Sequence, residues 1–511
     1  MRRARLILRI AGAVAAALAS GAADAGGSPP AVAFVGLHGG EFDVFRQFAA
    51  PAGIAVEYVR DDDIRAGSAD FARCRAVYVQ HFREEDAEAY ERLFRRARDA
   101  EPSIRFFSIS EIRGRAAEAL AKAGLLEHDP ALKAYHGTSP ENLRRFLLYV
   151  RARHLGGGGD VPPPDETDRV EGLFHPDHAG MFATVDDFLA WAKERRPALA
   201  AAPRAIVTAH AKHLTLQQPR VVAALVRSFE ERGVLAAAIV DYGKAYEGLL
   251  HDFAPLVVIH TCHSGDTLEM RERLGVPHLH SIFFRQQSIA DWQASVTGLT
   301  ASEMAFQVTT QELLGAIEPQ IGAGTVEGGG SAEAFTPIPD RIEHLTARAA
   351  AWIRLATIPN GEKKVAVLYY NREMGKSDLM RGSATGMFMN APRSLVKVLA
   401  RMRADGYAIT DVPADEDDLL ARLLDHGQQI GIWAPGALDR LARSGHAALI
   451  PVDRYLEWYE RKVPAAQREA LEARWGKAPG DFLVWEDAGR KFFVVPQVSL
   501  GGVVILPQPL H

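Results

Sequence analysis

At 511 residues the chain is too long for one compact core, and its length predicts about three domains. Hydrophobic residues at 48% and charged residues at 24% are the proportions of an ordinary globular protein. A net charge of −5, with no basic stripe interleaved with aromatics, argues against a nucleic-acid partner. Only two cysteines, Cys74 and Cys262, are present, which excludes a disulfide scaffold and leaves open a single bridge between them.

The amino terminus reads as a leader. Arg2, Arg3, Arg5 and Arg9 form a basic region, residues 10–19 are small and apolar, and Ala23, Asp24 and Ala25 make an A-x-A cleavage site. Together they predict a signal peptide over 1–25 and a periplasmic or secreted mature protein. The apolar stretch is too short to span a membrane comfortably. Gly26 and Gly27 follow it, so the cysteine of a lipoprotein anchor is missing.

A first block, 31–155, alternates strands with helices. Short buried strands are expected over 32–36, 54–59, 76–80 and 105–109, with charged helical segments such as 84–100 between them. This pattern predicts parallel α/β sheets with helices on both faces, flavodoxin- or Rossmann-like, in a multidomain chain. Ser139 can cap a helix that opens on Pro140 and stops before the glycine run 156–159. His38 and His81 follow the first and third strands, where ligands sit in such sheets.

The middle block, 165–325, carries the densest chemistry. A strand over 205–209 leads to His210 and His213. A helix bearing Val221, Val222, Leu225 and Phe229 comes next, then a strand over 235–240. The apolar run 256–259 opens directly into His260, Thr261, Cys262 and His263, and a second run ends at His278, Leu279 and His280. Imidazole and thiolate suit zinc, cobalt, iron or copper, so His260, Cys262, His263, His278 and His280, with His213 beside them, form the candidate metal or tetrapyrrole site. The plainer alternative is that these are ordinary loop histidines among the 18 in the chain. The block fades into a flexible glycine-rich segment over 322–330.

A third α/β domain is expected over 335–511. It would have a helix from Pro339, strands over 365–370, 407–410 and 429–433, and a helix from Pro392 whose Leu395, Val396, Leu399 and Met402 share a face. It ends in an apolar strand-like run that looks truncated. The loop holding Met374, Gly375, Lys376 and Ser377 is not a phosphate loop, because Tyr370 stands where that motif needs glycine. No ATP site is therefore expected. G-x-S-x-G and H-E-x-x-H motifs are also missing, which removes support for a hydrolase.

Taken in order, several elements resemble the large subunit shared by cobaltochelatase (the CobN type) and magnesium chelatase (its H subunit). Gly172, Leu173, Phe174, His175, Pro176 and Asp177 are similar to the family's G-L-Y-H-P-D element, and Lys212, His213 and Leu214 to its R-S-H-L. Leu274 to Pro277 and Trp292 match a strand and its following tryptophan. Asn390 to Leu395, closing in Ala404, Asp405, Gly406 and Tyr407, matches its N-x-P-x-S-L helix. Trp475, Gly476, Pro479 and Gly480, then the run from Gly501 to Pro509, match its last elements here.

The resemblance implies a protein that binds a tetrapyrrole for metal insertion or removal. The divalent metal would be cobalt, iron, magnesium or zinc, and separate ATPase subunits would act as partners in a cytoplasmic setting. His175 joins His210, His38 and His81 as secondary candidates on this ground. Three departures qualify the inheritance. Family members run much longer and carry a later H-x-G-T-H-G-type motif linked to the active site. His260, Thr261, Cys262 and His263 stand where an N-A-T-like stretch is usual. The leader predicts export, whereas the biosynthetic enzymes are cytoplasmic. These departures point to an exported paralogue for metal or tetrapyrrole acquisition, with an outer-membrane receptor as a conceivable partner. A non-catalytic haem or cobinamide carrier and an ordinary cytoplasmic subunit fragment remain open.

Overall fold

The computed structural model describes residues 30–508, apart from 38–39, 138, 166–169, 217–218, 241–244, 262–266, 332, 370–389 and 431–433. The leader, His38, Cys262, His263 and the 371–386 loop thus lie outside the described residues. The chain divides into two compact units, Met1–Ala356 and Thr357–His511.

The first unit holds two sheets. Strands β1 (Ala31–Val35), β2 (Ala55–Val59), β3 (Cys74–Val79), β4 (Arg105–Ser108) and β5 (Glu127–His128) pair in the order β2-β1-β3-β4-β5, all parallel. That is the flavodoxin-type order. Every residue of β1 is buried, as a strand covered on both faces requires. Val32, Phe34, Ala76 and Tyr78 meet the helices Glu41–Ala49 and Pro140–Arg153 on one side, where Phe34 stacks on Phe45 with centroids 4.4 Å apart. Ala33, Val35, Val77 and Phe106 meet the helix Ala87–Ala100 on the other. As expected, Ser139 caps Pro140–Arg153 by accepting from the Asn142 N–H.

The middle sheet comprises β6 (Leu173–Phe174), β7 (Met181–Phe182), β8 (Arg204–Ala209), β9 (Leu235–Val240), β10 (Val257–His260), β11 (His278–Ser288), β12 (Ile317–Thr325) and β13 (Thr336–Pro337). They pair in the order β13-β12-β11-β10-β8-β9-β6-β7, with a parallel centre and antiparallel edges. Odd-numbered residues of β8 and β10 (Ala205, Val207, Val257, Ile259) pack on the helices Pro219–Glu231 and Pro339–Thr357. Ile342, Leu345, Ala349 and Ile353 of the second helix enter that core, so the boundary between the units falls behind this helix.

The second unit is smaller and more open. Strands β14 (Val365–Tyr369), β15 (Ala448–Pro451), β16 (Val484–Asp487), β17 (Arg490–Val495), β18 (Val498–Ser499) and β19 (Val503–Pro507) form two three-stranded sheets, β14-β19-β18 and β15-β17-β16. Leu399 of helix Ala391–Ala404 and Leu419, Leu420 and Leu423 of helix Glu416–His426 pack on Val503 and Ile505.

Three expectations need correction. Residues 407–410 are not a strand. The chain leaves its helix through Gly406 at φ 87° and turns again where the Ile409 N–H reaches the Tyr407 carbonyl, which leaves one bridge, Ile409 to Gly501. Gln429 and Ile430 are also outside any strand, and 431–433 lie outside the described residues. The glycine-rich segment is not a free linker either. Its start completes β12, and Gly328, Gly329 and Gly330, at φ 67°, 64° and 71°, form a tight turn against the first sheet. Arg60 donates to the Gly328 carbonyl at 3.0 Å, and Tyr58 donates to the Gly330 carbonyl at 2.7 Å. Arg285 of β11 reaches Leu37 O at 2.9 Å, Tyr58 Oη at 3.2 Å and Gly330 O at 3.1 Å.

A buried charge cluster makes the second clasp between the sheets. Glu41 opens a helix of the first sheet, and Lys212 sits in the short helix Ala211–Thr215 after β8. Lys212 Nζ donates to Glu41 Oε1, and His136 Nε2 lies 2.8 Å from the same oxygen. Burial pushes the Glu41 carboxyl up, but Lys212 and His136 more than reverse this and hold it well below the usual carboxylate range.

Two outcomes test these clasps. Replacing Gly330 by alanine would set a Cβ 2.5 Å from Asp61 Oδ2 at a left-handed φ. It should cost at least about 2 kcal/mol of unfolding free energy. Gly67→Ala, with similar φ and open space around it, should cost about 1 kcal/mol. Lys212→Met should cost about 3–5 kcal/mol by stranding the Glu41 carboxylate, and adding Glu41→Gln should recover most of that loss. Denaturant unfolding of the whole chain reads both comparisons.

Candidate functional site

A parallel strand delivers its loop at the carboxyl end, and ligands collect where successive loops diverge to opposite sides. In the first sheet that point lies between β1 and β3. In the middle sheet it lies between β8 and β10, because β8 runs to β9 on one side while β10 lies on the other. Both points open on one cavity of about 370 Å³. The first sheet supplies Gly36 after β1, and His81, Phe82 and Arg83 after β3. The middle sheet supplies His210 and His213 after β8, Thr261 after β10, and His280, Phe283, Arg285 and Gln286 from β11. Phe335 closes one wall. Glu303, Phe306, Gln307 and Gln311 close another, from a stretch that includes the π-helical turn Met304–Thr309. Such turns recur at functional sites. Gly36 is required where it stands, since a Cβ there would lie 2.6 Å from the His81 carbonyl.

The walls are locally fixed. His210 caps its short helix by accepting from the Lys212 N–H at 3.2 Å, and its ring lies 5.6 Å from that of His213. The His213 ring sits 5.8 Å from Phe283 and 5.7 Å from Phe335. Glu303 accepts from the backbone N–H groups of Arg285 at 2.7 Å and Gln286 at 3.0 Å. Gln307 bonds both backbone groups of Phe283.

Below the cavity lies a row of buried polar side chains on the even-numbered face of the sheet. Thr208 Oγ1 is 3.1 Å from His260 Nδ1, and His260 Nε2 is 2.8 Å from His278 Nδ1, with the two rings stacked at 5.1 Å. The register explains the row: Thr208 and His280 flank His260 on the neighbouring strands, and His278 precedes His280 by one pleat. Among the described residues, neither ring nitrogen of His280 and not His278 Nε2 makes a well-formed hydrogen bond.

Burial sets the charge state of this row. It lowers His260 well below the ordinary histidine value, His278 to about 4 and His280 to about 3, and the nearby Arg271 guanidinium adds to each shift. At His280 the His260 backbone opposes the shift without reversing it. Arg271 is itself buried, donating to Leu314 O at 2.9 Å and Gln311 Oε1 at 3.2 Å. The three imidazoles are therefore neutral around pH 7.

The structure thus gathers His213, His280, His210 and His81 around one cavity and sets His260 and His278 directly beneath it. His175 lies apart: its Nε2 is 3.1 Å from Glu230 Oε1, its Nδ1 accepts from the Asp177 N–H, and its ring packs 4.4 Å from Trp191. Cys74 is a free thiol buried at the amino end of β3, its pKa pushed up to about 12 by burial. Among the described residues, no group of three or more His, Cys, Asp or Glu side chains is arranged to hold a metal ion. Sequence reasoning missed Arg285, Glu303 and the phenylalanine walls. The available signal was that the apolar run continues past His280 into Phe283, Phe284 and a lone arginine.

Comparison with known proteins agrees with this architecture. The model of a family described as CobN/Magnesium Chelatase matches residues 133–511. The H subunit of the magnesium chelatase of Chlorobaculum parvum is 22% identical over 391 residues, covering 73% of this chain and 28% of that protein. The CobN subunit of the aerobic cobaltochelatase of Pseudomonas aeruginosa is 25% identical over 387 residues, covering 69% and 29%. The chain therefore spans less than a third of the length of these relatives. The catalytic subunit of cobaltochelatase from Mycobacterium tuberculosis shares the fold, with a TM-score of 0.56 at 18% identity over 95% of this chain and 39% of that one. With a family match across most of its length and the same α/β architecture, this chain belongs to the CobN/magnesium chelatase family.

Proposed function

We propose that the cleft between the two sheets binds a tetrapyrrole for insertion or removal of a divalent metal, and that the chain is an exported paralogue serving metal or tetrapyrrole acquisition. The observation that carries this reading is the pairing of Phe82, Phe283, Phe306 and Phe335 with His213 and His280 in one cavity. A flat macrocycle gains most from aromatic walls on its faces. Small-molecule clefts in general run to roughly 300–1,000 Å³. The pyrrole nitrogens themselves supply most of the metal's ligands. The protein needs to contribute an axial imidazole and a group that takes or returns the pyrrole protons. Neutral imidazoles can do both. His213 and His210, at the cleft wall, suit the proton-accepting role. His280, which resists protonation, suits the ligand role. Cobalt, iron, magnesium and zinc are all acceptable to such a donor set. Outside the cell an ATP-driven partner would lack its fuel, which favours removal of metal down a gradient.

Titrating the purified chain with a free-base porphyrin and its zinc complex tests the reading. Both should shift the Soret band at micromolar concentrations. His280→Ala and His213→Ala should weaken the zinc complex about tenfold while changing the free base much less. A spectrum unchanged by either ligand would remove tetrapyrrole binding. Cell fractionation with amino-terminal sequencing tests export, with a mature end at Gly26 expected and an uncleaved cytoplasmic product overturning it.

The neutral imidazoles also predict a pH dependence. In the unfolded chain His278 and His280 titrate near 6.5, against about 4 and 3 in the fold. Below pH 6.5 the unfolded chain therefore binds more protons. The contribution of these groups is full above that pH and is lost progressively as pH falls toward 4 and 3. Unfolding midpoints at about pH 7.5 and about pH 5 should differ accordingly, and His280→Leu should narrow the gap.

A further inference from the structure

The second unit holds a cavity of its own, about 440 Å³, whose walls include His426, Gln428, Gln429, Arg440 and His446. The helix Glu416–His426 runs into it, and the helix Pro435–Arg443 starts beside it, with Ala434 and Ala437 in the lining. The second helix has no side-chain cap. Its first residue is proline, which lacks an N–H, and the Ala437 N–H turns back to the Ala434 carbonyl at 3.0 Å. The Gly436 N–H has no acceptor among the described residues. Such a helix start carries partial positive charge. Arg440 adds a full charge at the same end. A Cβ at Gly436 would lie 3.8 Å from Arg440 Nη1, so the guanidinium folds back over the first turn, against the helix dipole. It makes no ion pair among the described residues. The adjacent Asp439 is engaged by Arg443 at 3.0 Å and by the Trp485 indole N–H at 2.9 Å. Asp425, a carboxylate in the lining, is mostly exposed and faces His426 Nδ1 at 3.3 Å.

Two buried amide groups complete the picture. Gln429 is 5% exposed, and its Nε2 donates to the Gln508 carbonyl at 3.4 Å. That bond fixes the amide's orientation and leaves Oε1 buried without a donor. Gln428 Nε2 is likewise buried without an acceptor. The His426 and His446 rings stack with centroids 4.2 Å apart and make a flat wall. Unmet buried polar atoms are rare, and beside a cavity they point to something that fills it.

We infer that this cavity is a second ligand site and binds a phosphate group that keeps one hydroxyl, either free or as a monoester. Arg440, the Gly436 N–H and Gln428 Nε2 donate to its oxygens, and Gln429 Oε1 accepts from its hydroxyl. The last contact selects among oxyanions. Sulfate at neutral pH has no proton to offer that acceptor and is repelled by it, whereas phosphate retains a P–OH. A divalent cation on the two stacked imidazoles is disfavoured by the Arg440 charge. It would also lack a third protein ligand of the His, Cys, Asp or Glu kind among the described residues. The site lies within Thr357–His511 and is independent of the tetrapyrrole reading.

Calorimetric titration of the whole chain with inorganic phosphate, glycerol phosphate and sulfate, at neutral pH and fixed ionic strength, tests this site. At least one phosphate should bind saturably at one site, roughly tenfold or more tightly than sulfate. The tighter of the two phosphates then tells whether the occupant is free phosphate or a monoester. Arg440 is exposed, so Arg440→Gln should leave thermal unfolding unchanged while weakening phosphate about tenfold. Gln429→Leu should shrink the preference for phosphate over sulfate. Arg454→Gln, which removes a cation lying over Trp458 in the same unit, should change neither. Three outcomes overturn the inference: no saturable phosphate binding, equal affinity for phosphate and sulfate, or phosphate binding that survives Arg440→Gln. Zinc binding that is lost in His426→Ala, with no phosphate binding, would replace it by a metal site.

Discussion

The buried contact between Lys212 and Glu41 joins the two sheets of the first unit. Neither group has water to solvate it, and a lone buried charge costs several kcal/mol, so each is tolerable only while the other is in place. The consequence is positional. Lys212 immediately precedes His213, and Glu41 begins the helix that follows β1, so the pair fixes the β8 loop against the β1 loop. Those are two of the loops whose divergence creates the cavity. Arg285 and the glycine turn act on the opposite flank, tying β11 and the turn after β12 to Leu37, Tyr58 and Arg60. The cavity is held from both sides by polar contacts that work only with the sheets docked.

The same burial has opposite results a few residues apart. Glu41 stays ionised because a cation and an imidazole share its oxygen. His260, His278 and His280 stay neutral because desolvation disfavours their charged forms and the Arg271 guanidinium adds to it, with no carboxylate among the causes to oppose them. Three histidines inside a sheet are thus far less costly to keep neutral than to charge. Their hydrogen bonding is uneven: His260 is engaged on both ring nitrogens, His278 on one, and His280 on neither among the described residues. The least satisfied imidazole is the one that reaches the cavity.

Much of the scaffold could be read from the chain. Fully apolar runs such as 31–35 and 235–240 have no use except as doubly covered strands, and Ser139 followed by Pro140 marks a helix start by local chemistry alone. Placing histidines at the ends of β8 and β10 followed from the same logic, but His278 and His280 stand at the start of β11, which runs on to Ser288, so the run expected to end there in fact begins there. Local sequence could not say which of them face a common space. His260 and His280 are direct register partners on adjacent strands, yet only His280 lines the cavity. His175, in a motif resembling a family element, serves Glu230 and Trp191 instead. Arg285 and the 328–330 turn were illegible for another reason. Their partners in the first sheet lie far away along the chain, and a run of glycines looks alike whether it is loose or clamped at three successive left-handed residues.

The way the cleft is shared between the sheets bears on how such a fold can change its ligand. The family match begins at residue 133, so the middle sheet and its histidines lie within it, while Gly36, His81, Phe82 and Arg83 come from the stretch before it. The overall likeness to the cobaltochelatase catalytic subunit nevertheless covers 95% of the chain, which includes the first sheet. Architecture therefore extends beyond the part where sequence is matched. In a flavodoxin-type sheet this is physically easy. The buried runs need only be apolar and of suitable volume, whereas the loops at the switch point are free to vary once their backbone path is fixed. One wall of the cavity then carries the middle sheet's imidazoles and Arg285, and the facing wall has its freedom in the loop after β3, because the loop after β1 holds Gly36, the Leu37 carbonyl of one clasp and the approach to Glu41 of the other.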